Sequence, residues 1–117
     1  MTIKEVSEQY QISQDTLRYY ERVGMIPRVT RSPSGHRDYQ PADLAWVDLA
    51  KCLRGAGLTV EAIVNYVHLY QQGEDTVPAR LELLRQQREA LLEQRRQVEE
   101  ALAHLDRKIA WHEKMLT

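Results

Sequence analysis

The side chains equipped for chemistry in this 117-residue sequence are one thiol, Cys52, four histidines (His36, His68, His104 and His112), and an arginine-rich stretch from Thr16 to Tyr39. That stretch, TLRYYERVGMIPRVTRSPSGHRDY, carries Arg18, Arg22, Arg28, Arg31, Arg37 and His36 against two acids, Glu21 and Asp38, and is interleaved with Tyr19, Tyr20 and Tyr39. The formal net charge of the whole chain is −1, so a basic excess confined to one stretch points to an anionic partner. Guanidinium forks clamp phosphate oxygens, and the chemistry on offer is recognition of a phosphate backbone. Catalysis is not on offer. Cys52 has neither a resolving cysteine nor a general base in a plausible motif beside it, which disfavours a small thiol-dependent reductase.

Composition sets the frame for that stretch. With 28% charged and 43% hydrophobic residues, the chain reads as a folded, soluble protein of one small domain plus an appendage. A single cysteine rules out an internal disulfide framework and any zinc site built from several thiolates of one chain. Residues 1 to 57 hold eight Lys+Arg and seven Asp+Glu, and residues 58 to 117 hold eight and ten, so the basic character is local rather than a property of one half. No apolar run is long enough for a signal peptide or a membrane span, and the expected location is the cytoplasm, with no membrane partner.

The elements that must position the arginines follow from caps and periodicity. Thr2 with Glu5 fits a capping box, and Ile3, Val6 and Tyr10 give the spacing of a helix over 3–10. After a turn, Ser13 is a good N-cap for a second helix over 14–23, with Leu17, Tyr20 and Val23 inward and Gly24 as its stop. Two short helices joined this way read as helix-turn-helix. Gln14, Arg18 and Arg22 form the outward stripe, flanked by Asp15 and Tyr19, so the first turns can reach base edges or phosphates. Pro33 and Gly35 between short segments containing Val29 and Tyr39 predict a β-hairpin wing over 27–39, with Arg31 and Arg37 on opposite arms. The bland alternatives are a solvated helix face and a charged edge that discourages strand pairing. Pro41 opens a third helix over 41–56, with Ala45, Leu49, Cys52 and Ala56 along one stripe and Cys52 inside it. Thr59 caps a fourth over 60–72, on which Ile63, Tyr66, Val67 and Tyr70 share a face.

From Thr76 the pattern becomes a heptad repeat. Leu81, Leu84, Arg88, Leu91, Arg95, Val98, Leu102, Leu105, Ile109, His112 and Leu116 alternate by three and four without a slip. A helix from Val77 to Leu116 would extend about 60 Å, and so short a protein has nothing to bury one face of all of it. A second copy is the economical partner. A parallel pair would stack Arg88 on Arg88 and Arg95 on Arg95 in the seam, so an antiparallel homodimer is expected. The expected fold class is mainly α: a winged helix-turn-helix DNA-binding domain over 1–73 and a coiled-coil dimerisation helix over 74–117.

TLRYYERVGMI, then SGHRDY, then a Leu-rich helix ending in RGAGLTVEAI, then a long terminal helix, occur in an order and spacing that resembles the MerR family of bacterial transcription regulators over essentially the whole chain. KCLRGAGL around Cys52 and VHLYQQGEDTVPAR before the long helix look most like its NmlR/AdhR branch of thiol-dependent, aldehyde-responsive regulators. The resemblance implies a homodimer on a pseudo-palindromic operator in double-stranded promoter DNA. There it would bend and untwist an over-long spacer so that RNA polymerase holoenzyme can engage, a regulator associated with the bacterial nucleoid. Carried over by position, Thr16, Arg18 and Tyr19 match family residues that contact DNA, and Arg37 with Tyr39 match the wing, while Tyr20 belongs to the core. With the residues of the outward stripe and the wing, the DNA-contacting set becomes Ser13, Gln14, Thr16, Arg18, Tyr19, Arg22, Arg31, His36, Arg37 and Tyr39. The metal sensors of the family place cysteines where this chain has Thr76 to Arg80 and Trp111 to Thr117, so thiolate metal sensing of that type is not expected. Nor does the chain contain the large ligand domain of the drug-binding members; no cofactor is expected.

Cys52 is left as the candidate receptor of a signal. A lone cysteine on an apolar stripe is ordinarily a small buried hydrophobe. The family branch favours the other reading, in which a small electrophile or oxidant modifies Cys52 and resets the angle between two DNA-binding heads. Lys51 and Arg54 are near it in sequence, while the end of its own helix disfavours a thiolate. A purely structural Cys52, with another or no inducer, and a coiled-coil protein-interaction adaptor remain the alternatives. His112 reads as a polar layer of the coiled coil, and His68 and His104 as surface residues.

Overall fold

Local capping chemistry sets where the first helices begin. Thr2 Oγ1 accepts the Glu5 N–H at 3.2 Å while Glu5 Oε1 accepts the Thr2 N–H at 3.0 Å, a complete capping box that opens α1 (Ile3–Tyr10). Gln11, at φ 55°, turns the chain, and Ser13 Oγ accepts the Thr16 N–H to open α2 (Gln14–Val23). Gly24 ends α2 at φ 87°, a left-handed conformation that a side chain at this position would strain. The structure, a computed structural model, describes residues 1–117 and continues with α3 (Pro41–Gly55), α4 (Val60–Gln71), a 3₁₀ turn over Glu74–Thr76, and α5 (Val77–Met115). Thr59 caps α4 by accepting the Ala62 N–H at 3.1 Å.

The core draws on α1 to α4 and on the segments that join them. Val6 and Leu17 are wholly buried, and with them Ile12, Tyr20, Met25, Ile26, Val29, Val47, Ala50, Leu58, Ile63 and Val67. Trp46 of α3 meets Tyr70 of α4 edge-on at 4.9 Å and Tyr66 at 6.3 Å, which joins those two helices through aromatic contact. Tyr39, expected at the DNA face of the wing, is instead 1% exposed and belongs to this buried set. The alternation of the segment explains the correction: Arg37 and Tyr39 are two residues apart, but the main chain at Tyr39 leaves the wing to pair with Met1, through Tyr39 N–H to Met1 O at 2.7 Å and the Met1 ammonium to Tyr39 O at 2.9 Å.

The wing places Arg31 and Arg37 on opposite arms as expected, but it is shorter than a two-stranded hairpin. Arg31 and Arg37 form one isolated antiparallel bridge, flanked by Ser32 N–H to His36 O at 2.8 Å and Asp38 N–H to Thr30 O at 2.7 Å, and no strand is built on it. A ladder cannot lengthen in either direction. Toward the base, the Thr30 N–H that would complete the Thr30–Asp38 pair goes to Asp43 Oδ2 at 3.4 Å, and toward the tip Ser32 O is taken by the Gly35 N–H of the turn at 2.9 Å.

On α3 the side facing the core is Val47 and Ala50. Ala45, Cys52 and Ala56 are exposed and Leu49 is partly so, which reverses the expectation that Cys52 lies inside a packed stripe. A helix apolar on more than one side does not announce which side its own domain will take.

Two compact units divide the chain at Leu83/Leu84. In the first, the 3₁₀ turn and the start of α5 are bound to what precedes them: Thr76 Oγ1 donates to Leu69 O at 2.6 Å, Arg80 donates to Gly73 O at 3.1 Å, and the Arg80 guanidinium lies 4.9 Å from the Tyr70 ring centre. The second, Leu84–Thr117, is helical to Met115 and supported on its surface by ion pairs of Arg96 with Glu93 and Glu100 and of Arg95 with Glu99. No helix is long and apolar enough to cross a membrane.

The Tyr39 hydroxyl is buried without a hydrogen-bond partner, and burial raises its pKa. Replacing Tyr39 by Phe should therefore leave unfolding free energy within about 1 kcal/mol of the parent, or raise it. Tyr39→Ala should cost about 3–5 kcal/mol, both read by denaturant unfolding.

Candidate nucleic-acid interface

The outward side of α2 is wired before any ligand arrives. Ser13 Oγ donates to Thr16 Oγ1 at 2.8 Å as well as capping the helix, so these two hydroxyls hold each other at its start. Arg18 donates to Asp15 at 3.1 Å and to Gln14 Oε1 at 3.3 Å, and Arg22 lies 5.4 Å from the centre of the Tyr19 ring. These contacts are on an exposed surface and contribute little stability, but they limit the rotamers in which the guanidiniums wait.

The wing is held from α2. Glu21, whose side chain is 9% exposed, accepts the Val29 N–H at 2.8 Å, Arg37 Nε at 2.7 Å, and Arg31 Nη2 at 3.2 and 3.3 Å. Burial alone would raise the pKa of this carboxyl. The Val29 N–H and the two guanidiniums outweigh it and hold the carboxyl below its ordinary range. Asp38 is occupied too, by the Met1 ammonium at 3.2 Å. Both acids of the arginine-rich stretch are thus engaged from inside.

A cleft of about 500 Å³ opens where these parts meet, lined by Thr2, Ile3, Arg18, Arg31, Gly35, His36 and Arg37. It brings together four of the residues expected to contact DNA, Arg18 of α2 with Arg31, His36 and Arg37 of the wing. Ser13, Gln14, Thr16, Tyr19 and Arg22 lie along α2 outside that lining, and Tyr39 is withdrawn into the core. Glu21, Thr2 and Ile3 are the positions that sequence reasoning did not place here. Glu21 had a signal: it is four residues beyond the buried Leu17, so helical geometry turns it toward the interior among cations. Gly35, at φ 87°, makes the tip, its N–H returning to Ser32 O at 2.9 Å.

Cys52 is exposed, and the two cations near it in sequence are engaged elsewhere. Lys51 Nζ donates to Tyr10 O at 2.6 Å and Arg54 to Leu58 O at 2.7 Å. His112, expected in the coiled-coil seam, has its Nδ1 2.7 Å from Lys108 O, and its ring is edge-on to Trp111.

A short helix pair with a basic outer face, a one-bridge wing pinned to the second helix, and a cationic cleft between them define a DNA-binding regulator of the helix-turn-helix class. Comparison with known proteins fixes the family. Residues 1–69 match the MerR HTH family regulatory protein model and residues 44–108 the MerR, DNA binding model, and the chain belongs to the MerR family. It is 46% identical over 93 residues to the HTH-type transcriptional regulator AdhR of Bacillus subtilis, covering 80% of this chain and 66% of that protein. The chain thus spans just under two thirds of that relative. Among solved structures it is similar to one assigned to the MerR family from Listeria monocytogenes, with a TM-score of 0.90 at 45% identity over 93% of this chain and 83% of the other. It is also similar to HiNmlR, a MerR family regulator lacking the sensor domain, solved bound to promoter DNA, with a TM-score of 0.88 at 31% identity over 97% and 90%. These relatives accord with the NmlR/AdhR branch.

A carboxyl whose pKa is lower in the folded chain contributes stability that is present above its unfolded pKa and lost as pH falls through the folded value. Glu21→Gln should therefore be less stable than the parent at neutral pH. The gap should close as acid takes the solution below the ordinary carboxyl value of 4.5, measured by thermal melts across that range.

Proposed function

We propose that the chain acts as a homodimer that binds a pseudo-palindromic operator in double-stranded promoter DNA and activates transcription by distorting it for RNA polymerase holoenzyme. The observation that carries this reading is the cleft into which Arg18, Arg31, His36 and Arg37 converge, a ready seat for backbone phosphate beside a helix whose first turns face outward. The DNA-contacting set is Ser13, Gln14, Thr16, Arg18, Tyr19, Arg22, Arg31, His36 and Arg37. Distortion of a duplex needs grips on the backbone at separate points, and helix and wing supply two per protomer.

The second copy is argued from α5. Leu81, Leu84, Val98, Leu102, Leu105, Ile109 and Leu116 are each at least 40% exposed, an apolar stripe at heptad spacing interrupted by Arg88, Arg95 and His112. An antiparallel pairing covers this stripe and separates the like charges of Arg88 and Arg95, which the parallel pairing superposes.

For the signal, an electrophile or oxidant acting at Cys52 is the reading favoured by the family branch and by the exposure of the thiol. Modification there would bear on the distance and angle between the two DNA-binding heads. The cytoplasm is the compartment such a regulator requires.

Two measurements test these readings. With the three arginines of the cleft, Arg18, Arg31 and Arg37, each on a phosphate in both protomers, affinity of the dimer for promoter DNA should fall about 10³-fold between ~50 and ~200 mM salt, and Arg18→Ala should lower the slope by about one per protomer. A coiled-coil adaptor would show no such dependence. For Cys52→Ser, induction by an aldehyde at the target promoter should be lost while DNA binding is kept; induction equal to that of the parent would remove Cys52 from the mechanism.

A further inference from the structure

An acid inside a phosphate-binding surface needs a reason. Toward a polyanion, Glu21 subtracts charge from the patch, and its side chain, 9% exposed, sits within 3.3 Å of both wing arginines. Without it the surface would attract any nucleic acid more strongly. We propose that Glu21 is a positioning residue that trades general affinity for DNA against geometric selectivity, by fixing the two wing guanidiniums in one orientation. This inference rests on the DNA-binding reading above.

The hydrogen bonds show how. Arg37 commits its Nε to Glu21 Oε1 at 2.7 Å, and neither of its terminal Nη nitrogens has a partner in the chain. Arg31 commits Nη2 and keeps Nε and Nη1 uncommitted. A planar guanidinium tied at one edge has its other edge fixed in space, which a lysine ammonium at the same distance would not. The Val29 N–H on the same carboxylate locks this plane to the base of the wing, and the wing's own backbone offers only the one Arg31–Arg37 bridge to do so. Orientation here is therefore set by side chains. A fork aimed in advance meets a phosphate only where the duplex presents one at the right position and angle, and so rewards DNA of one shape over another.

The test uses the full chain and two probes. One is a short duplex selected by the parent protein from a random-sequence pool, and the other is the same duplex with its sequence scrambled. Glu21→Gln, which can still accept from Val29, should bind the scrambled duplex as tightly as the parent or tighter. It should bind the selected duplex about 10-fold more weakly relative to the scrambled one, the size of one lost charge-assisted hydrogen bond. A merely structural role would weaken both duplexes together, in step with the melting temperature, and would overturn the proposal, as would a ratio unchanged from the parent. Arg37→Lys keeps the charge and the fold of the backbone while removing the planar fork. It should lower the same ratio with the salt slope of the parent, and it decides the matter if Glu21→Gln does not fold. Should the parent select no duplex at all, the DNA-binding reading itself fails, and this inference with it.

Discussion

The Glu21 carboxylate is the constraint on which the arrangement of α2 and the wing depends. It stands on α2, whose start is set by Ser13 and whose end is set by Gly24, and it reaches out to Val29, Arg31 and Arg37. Through it α2 and the wing become one object. The cost of placing a carboxylate in a largely enclosed position is met by three donors, two of them cationic, which is why its pKa falls despite its burial. What the backbone leaves unspecified in the wing, with a single bridge, the side chains specify.

How much of this could be read in the sequence differs sharply between kinds of information. Helix ends were legible, because Thr2, Ser13, Gly24 and Thr59 act on backbone groups within a few residues of themselves. Arg18, Arg31, His36 and Arg37 were legible as a set, since local charge needs no fold to be counted, and their convergence on one cleft agrees with that set. The length of the wing's hairpin was not: Arg31 and Arg37 pair on opposite arms as expected, but the next pair fails because the Thr30 N–H goes to the Asp43 carboxylate, thirteen residues away. Tyr39 illustrates the same limit. As a tyrosine among arginines it reads as a contact, and only the path of the chain beyond Arg37 turns it into the core.

Cys52 and α3 show a different limit. The helix is apolar on two sides, and periodicity alone ranks neither; the core takes Val47 and Ala50 and leaves Ala45, Cys52 and Ala56 outside. An exposed apolar stripe with a thiol in it means something different from a buried one, since a reagent can reach it. Similarly, the heptad leucines of α5 were legible as a stripe, and their exposure in the single chain is what gives that stripe a use for a second copy.

The balance between local and total charge also bears on kinetics. Both acids of the arginine-rich stretch are satisfied within the chain, yet they still count toward its total, and that total is −1. Beyond a Debye length of about 8 Å at physiological salt, an approaching nucleic acid meets a protein with no net pull on it. Any pull on a nucleic acid then comes from the arginine patch at short range rather than from the total charge. Differences in occupancy between one DNA site and another would accordingly be written in how long the protein stays, and hardly at all in how fast it arrives.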